Sequence, residues 1–562
     1  MASKPIQPLV LDSIGIYGLN RQSSAASLPP QYLTTANNIM LDEKGRVTTR
    51  EGIKQVTTNI SDSSTANTLI VKSLGEYISS TGAKTLFAGA GANIYKINTA
   101  NTPYTLDAQT FTSSPTTKTN GNWQFTNFNN QFYGVQANNE PINYSGSAWA
   151  DLADVGSYHK PSGVTTFQPS CILGDYGRLW VGNIGENKDV VYYSDTLIGQ
   201  TFNGGASGSV DLKTVWSGDE ITALASFMGK LVIFGKNNIV IYNDPWDPSA
   251  STFQLDEVIE GVGCVARDSV QVIGDDIVFL SSSGVRSLAR TMVQDKMPLT
   301  DLSLAIKDEI RTNILTADMD QVKAQYDLST GSYLLSFGGK NIVYVFDFKA
   351  TTPEGAPRIT TWNFELKKNP GALLSTDDTL YVGLGATTYS GKVATYSGFY
   401  DVEKEDVTSS YGTSSACTTA GHTWESTTSK CYKDVDNTYQ ADFKTTWLDF
   451  EQPGITKFLK RFLAIWSGGK NMNVTLNWFR DYNVESTSAN FTLDPTAGGA
   501  NHLWGQGKYG NAKYAPAFQP TEYKVSMSKA AKVVRLQIIQ TVSGFKASLQ
   551  NISIWAKQGK IR

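Results

Sequence analysis

The chain has 562 residues, 48 Lys and Arg against 51 Asp and Glu (net −3), and 18% charged residues in all. That length exceeds what one hydrophobic core organises, and the abundance of Gly, Ser, Thr, Asn and Tyr is that of a turn-rich, multi-domain, all-β protein. The charge balance argues against a protein that grips nucleic acid tightly, because phosphate contacts need clustered Lys and Arg; a weakly acidic wall past which DNA slides stays open. No stretch approaches the roughly 20 apolar residues of a membrane helix. Residues Met1-Ala2-Ser3-Lys4-Pro5-Ile6-Gln7-Pro8 lack the apolar run of a secretory signal, so synthesis in a cytoplasm is expected.

Residues 1–60 read as an arm. The stretch contains Gly18-Leu19-Asn20-Arg21, the step Leu28-Pro29-Pro30, Ala36-Asn37-Asn38-Ile39 and Arg46 through Gly52, with a hairpin turn expected near Asp42 and Gly45. It has too little apolar mass to fold alone and must lie across another surface, its own or a neighbour's.

Residues 61–400 carry a repeat of polar turn, apolar-aromatic strand, glycine and second strand. Its anchors Leu86, Phe132, Leu179, Leu231, Ile277, Leu334 and Leu380 lie 46, 47, 52, 46, 57 and 46 residues apart. Strand pairs at a period near 40–50 residues indicate propeller blades, about six to seven of them, which stack radially because two short strands cannot bury both faces alone. Within this stretch Cys171 and Cys264 read as free buried thiols. After the fifth repeat, Leu302, Ile306, Ile310 and Ile314 fall four apart. That spacing predicts one short helix from Asp301 as N-cap, with Pro298 just before it, packed on the side of the propeller.

Residues 401–440 read as an insertion. Asp401 to Asp406 is a charge run expected to be a solvated linker, and Cys417 and Cys431 enclose 13 residues with His422 between them. Two free thiols, a disulfide-closed loop and, least well matched, a zinc site are the alternatives; paired CxxC spacing is missing. A disulfide would need an oxidising exterior. Residues 441–562 read as a β-sandwich with strands Phe443–Phe450, Phe458–Trp466, Val474–Phe479, Tyr523–Met527, Val533–Ile539 and Leu549–Trp555.

Catalytic constellations are not apparent. His159, His422 and His502 share no motif, and nucleophile elbows, Walker loops and HExxH are absent. Asp275-Asp276 and Asp377-Asp378 precede repeat strands and read as hairpin turns. The segment from Ser194-Asp195 to Phe202 reads as a structural turn, although it has a faint likeness to a sialidase Asp-box with the acid one place early. Neither a cofactor nor a metal is expected.

On these residues the chain resembles the tail nozzle or hub proteins of short-tailed bacteriophages, also called tail tubular protein B or packaged-DNA stabilisation proteins. The likeness rests on Gly18-Leu19-Asn20, Leu28-Pro29-Pro30, Ala36-Asn37-Asn38-Ile39, Gly45-Arg46 and Arg50-Glu51-Gly52 in the arm. Val191-Tyr192-Tyr193-Ser194-Asp195 and Gly284-Val285-Arg286 look similar too, as do Trp447-Leu448-Asp449-Phe450, residues Lys457 to Arg461, and Phe545 to Ile554. The segment from Cys417 to Cys431 lies outside the likeness. The resemblance implies a virion structural protein, not an enzyme: a homohexameric ring below the portal and adaptor, bearing fibre, needle or tip proteins. Such a ring extends the DNA channel, retains the packaged genome and gates its ejection. Loops near Arg21, Arg46 and Arg50 are then expected to meet the adaptor or adjacent subunits. A polysaccharide-degrading propeller enzyme and a glycan-binding adhesin are the competing classes; in the adhesin Trp149, Trp246 and Trp504 would be stacking platforms.

Overall fold

The computed structural model describes residues 6–559, except 12–13, 43, 61–68, 101, 112–117, 119, 157, 217, 290–300, 365–368, 387–388, 427, 453 and 495–519. Pro298, His502 and Trp504 lie outside the described residues.

The protein is all-β with a β-propeller, and the repeat anchors show how it is built. Each anchor lies on the second strand of an antiparallel sheet: Lys84–Ala90, Gln131–Val135, Arg178–Ile184, Lys230–Gly235, Asp276–Ser281, Ser332–Ser336 and Thr379–Ala386. Five of these sheets stand alone, four with four strands and one, around Asp276–Ser281, with three; the other two are the heads of larger sheets. In five of the seven, a tight two-residue turn joins the first strand to the second. Asn129 and Asn130 have φ of +44° and +60°, and Asp377 and Asp378 have +48° and +57°. Both pairs twist the chain as a right-twisted hairpin requires, with residues that tolerate the left-handed region.

Apolar clusters sit between successive sheets. Phe87, Phe132, Tyr144 and Trp149 fill the space between the first and second, with Phe87 edge-on to Tyr144 at 4.9 Å and to Trp149 at 5.2 Å. Val71, Leu86 and Ala88 meet Ala372 and Val393 between the first sheet and the last, so the circle closes. Side chains bond sheet to sheet near the axis: Gln124 Oε1 accepts from the Ile172 N–H at 2.9 Å, and Asn127 Nδ2 donates to the Glu76 carbonyl at 2.7 Å.

The described part of residues 1–60 lies on the chain's own surface. Ile53–Gln55 pairs antiparallel with Tyr389–Tyr396 and becomes the fourth strand of the last propeller sheet. Leu33–Asn37 pairs with Tyr439–Thr445, Val47–Thr49 with Ala547–Gln558, and Ile6–Leu11 with that same strand. Leu19, Leu33, Ala36 and Ile39 are wholly buried. The arm's missing core is supplied by both bodies it crosses.

Beyond residue 440 two sheets share one apolar core. Phe462, Ala464 and Trp466 of one meet Val474, Leu476, Leu536 and Ile538 of the other. The alternation is regular along Val534–Val542, every second residue being buried.

Two expectations are corrected. The helix after the fifth repeat, α1, is Lys307–Thr316, preceded by a 3-10 turn at Leu304–Ile306. Its N-cap is Ile306, not Asp301; Asp301 Oδ1 instead takes the Ser303 N–H at 2.9 Å, and Ser303 Oγ accepts the Val285 N–H at 3.0 Å. Leu302, Ile306 and Ile310 are buried as the spacing requires, but the first turn tightens to carry the chain off the sheet. The charge run is also not a solvated linker. Asp401–Asp406 is a strand between Ile53–Gln55 and Lys430–Asn437, with Asp401 buried and Lys404 Nζ 2.6 Å from Asp434 Oδ1. Cross-strand pairing neutralises charges that would otherwise need water.

Candidate functional site

Among the described residues, the propeller axis and the junction where the arm crosses it each gather several chemistry-bearing side chains. Around the axis the first strands enclose a cavity of about 480 Å³ lined by Glu76, Gln124, Thr126, Gln271 and Gln325 among others. Where those strands begin, Arg267, Asp268, Lys323 and Asn122 interlock. Arg267 Nη2 donates to Asp268 Oδ2 at 2.8 Å, and Arg267 Nη1 to the Ser170 carbonyl at 2.8 Å. Lys323 Nζ bonds both Asp268 and the Asn122 side chain, and Asn122 Nδ2 reaches the Asp320 carbonyl at 2.6 Å. Burial opposes ionisation of Asp268, but the Arg267 and Lys323 charges overcome it and hold the carboxyl down at about 2. Burial lowers the Lys323 pKa below the ordinary lysine value. The cavity has the size of a small-ligand pocket. It is far too small for a duplex whose major groove alone is about 12 Å wide.

The junction is organised by Arg50. Its guanidinium meets Asp401 in a bidentate pair at 3.0 and 2.9 Å, while Nε donates to Asn38 Oδ1 at 2.9 Å. The remaining N–H groups reach the carbonyls of Glu51 at 2.6 Å and Asn363 at 2.9 Å, so all five donors are used. Tyr439 lies under the guanidinium, 3.9 Å from its ring centre, and its hydroxyl donates to the Arg50 carbonyl. Burial works against the Arg50 charge, but Asp401 outweighs it and the pKa is raised. The short motifs of the arm are explained here. Gly18 has φ +74°, and a Cβ on it would lie 2.8 Å from the Ile359 nitrogen; a Cβ on Gly52 would lie 1.9 Å from the Tyr400 carbonyl oxygen. Asn38 has φ +55° and bridges Arg50, Asn363 and the Gln440 carbonyl.

The arginines expected at a contact surface are thus distributed differently. Arg50 has no exposed side-chain surface and serves the junction. Arg21 pairs with Glu309 of α1 at 2.7 Å and Arg46 with Asp42 and Gln550, yet both keep more than a third of their side chains exposed. Cys417 and Cys431 are bonded, with Cα atoms 5.8 Å apart. The first sits on a short helix, α2, Ser414–Thr419; the second is on Lys430–Asn437. Cys171 and Cys264 are free and buried. Burial raises their thiol pKa values to about 12 and about 11.

His159 is exposed, with its N–H on the Gln200 carbonyl at 3.1 Å, and His422 packs edge-on to Tyr411 at 4.9 Å; the two are not brought together. Asp276 accepts the Ala289 N–H at 2.9 Å, Asp377 pairs with Lys84 at 2.6 Å and Asp195 accepts the Ala206 N–H at 3.0 Å, all within or next to turns. Among the described residues no group of three or more His, Cys, Asp or Glu is placed to hold a metal ion. Trp149 is buried, whereas Trp246 is 60% exposed. The Arg267–Lys323 cluster escaped the sequence reading, since its members lie up to 201 residues apart and form no local motif.

No family model and no curated protein matches this sequence. Among solved structures it is similar to PorZ, a bacterial surface component of the type-IX secretion system of Porphyromonas gingivalis, at 12% identity and TM-score 0.33. That match covers 58% of this chain and 36% of that one, so the chain spans about a third of PorZ. The CNH domain of AfRom2 is matched at 8% identity and TM-score 0.35, covering 61% of this chain and 98% of that one. The WD40 domain of Neurospora crassa Pan2 is matched at 8% and 0.36, covering 62% and 96%. At such TM-scores these likenesses carry no argument about function.

Proposed function

We propose that this protein is a structural, non-catalytic subunit of a short-tailed phage tail, part of a nozzle or hub ring that extends the DNA channel and gates ejection. The observation that carries the reading is the junction. Gly18, Asn38, Arg50 and Gly52, which bear the resemblance to nozzle proteins, are the residues that lock the arm across propeller and C-terminal body. A generic propeller has no need of them. We count seven blades: the five separate sheets plus the heads of the two larger ones. We read the two C-terminal sheets as a β-sandwich.

The closed axis bears on mechanism. Its entrance is stoppered by Arg267, Asp268 and Lys323, and its cavity is small, so a DNA passage would run between copies and not through one propeller. Asp268, neutralised by two cations, is a poor general acid or base, which favours the structural reading over a hydrolase. Arg21 and Arg46 retain the exposed surface to meet an adaptor or neighbour, whereas Arg50 acts by holding the arm.

The test is the native mass of the full chain, alone and with a portal–adaptor assembly, by light scattering. A ring of about six copies in either condition is expected. A single chain in both conditions would sink the proposal, and reducing-sugar release from bacterial polysaccharide would replace it with the enzyme.

A further inference from the structure

Charge is segregated along this chain. Residues 441–562 hold sixteen Lys and Arg against seven Asp and Glu, a net +9, which leaves −12 for residues 1–440 out of the total of −3. Part of that positive charge lies on the outer face of the sheet built on Lys457–Gly468. There Phe458 stands opposite Lys557, Arg461 opposite Trp555 and Leu463 opposite Lys524. Opposed residues share one face of a sheet, and the alternate residues Leu459, Phe462 and Ala464 point into the core. Phe458 is 45% exposed, and Val10, on the strand Ile6–Leu11 that flanks the far side of Ala547–Gln558, is 52% exposed. Lys524 pairs with Glu522, but Arg461 and Lys557 have no ion-pair partner among the described residues.

The propeller carries a surface of opposite character. At one end of the third and fourth sheets Leu197, Ile198, Met228 and Trp246 are 55%, 42%, 67% and 60% exposed. They form one patch. The Leu197 N–H donates to the Gly177 carbonyl at 2.8 Å, Trp246 packs edge-on against Tyr176 at 5.3 Å, and the Tyr176 hydroxyl donates to the Lys230 carbonyl at 2.7 Å. Leu197 and Met228 have φ of +56° and +49°, and Met228 stands in the first-to-second-strand turn where the second and seventh sheets place Asn and Asp. Bulky apolar residues held both in the left-handed region and in water gain nothing within one chain. Asp195, Asp244 and Asp247 lie in the same loops, the last two exposed.

We infer that the cationic, apolar sheet face of one copy seats on this acidic, apolar end of the propeller of the next copy. The inference rests on the multi-copy reading above and names its joint. Nucleic acid would match the charge of the sheet face but leave its apolar row, and the propeller patch, without a partner. The contact is heterologous, since two different surfaces meet, and a heterologous contact builds a ring when its rotation closes.

The test uses two full-length variants. R461E/K557E reverses the sheet face, and L197D/M228D places in the turns a residue that the left-handed backbone tolerates, so both variants should melt as the wild type does. By light scattering each alone is expected to be a single chain under conditions where the wild type assembles. Mixed one to one they should form a two-chain particle, twice the 61.2 kDa of the chain, because one intact joint remains between them. A wild type that assembles while either variant alone assembles equally well overturns the joint and leaves the ring reading standing. So does a mixture that stays single. R461E/K557E that assembles normally but loses retention of duplex DNA assigns the sheet face to nucleic acid and overturns the inference. A wild type that never assembles removes the ring reading and this joint together.

Discussion

At Arg50 a single side chain uses five donors, one carboxylate and an aromatic face, all away from water. Removing one partner of a buried pair leaves the other charged and unmatched. Arg50→Ala is therefore expected to lower unfolding free energy by about 3–5 kcal/mol in denaturant titration. Arg50→Lys should recover little of this, because an ammonium cannot span Asn38, Asp401 and two carbonyls at once. Asp268 makes a pH prediction. Its folded pKa of about 2 lies below its ordinary value, so its contribution is complete above about pH 4 and is lost as pH falls through about 2. Acid titration of the wild type against Asp268→Asn should show about 2 kcal/mol of this loss in the wild type alone. Equal acid sensitivity in both would remove the ion cluster from the stability of the axis.

Among the elements, the hairpin closed by Cys417 and Cys431 carries the third prediction. Native protein without reductant should react with no more than trace thiol reagent, since Cys171 and Cys264 are buried and their thiolates disfavoured. Denaturation should expose two thiols, and denaturation with reductant four. Four thiols without reductant would mean the hairpin is held by packing alone. The legibility of the elements followed the range of their causes. The seven repeat anchors each landed on a second strand because a blade's pattern is local and apolar. Ser486–Leu493 was missed: Ser, Thr and Asn fill most of its positions, and its register comes from Met472–Arg480 beside it. The helix at Ser414–Thr419 was missed as well, having no apolar period. Asp401–Asp406 read as solvated because its burial depends on Arg50, 351 residues away. The axial ion cluster and the closure of the last sheet by Ile53–Gln55 are likewise products of distant contacts.

For the whole molecule, the arm makes propeller and C-terminal body one mechanical unit. The largest apolar cluster runs from Leu19 and Leu33 of the arm through Val278 and Leu335 of the propeller to Trp466 and Ile538. The fourth prediction is a single calorimetric transition in the wild type, splitting into two in Arg50→Ala as the bodies uncouple. Two transitions already present in the wild type would show that the arm does not couple them.

The pairing of Ile53–Gln55 with Tyr389–Tyr396 also sets a schedule for synthesis. In a nascent chain the arm emerges long before its partners: residues 6–11 wait for residues 552–557, and Arg50 waits for Asp401. The freestanding sheets can form as they leave the ribosome, but the circle stays open until more than three hundred further residues have been translated. Throughout that interval the arm's unpaired strands and the rim of the first sheet are exposed to other polypeptides in the cell. Premature self-association is then a hazard of production, governed by translation speed and chaperone supply and not by the stability of the finished fold.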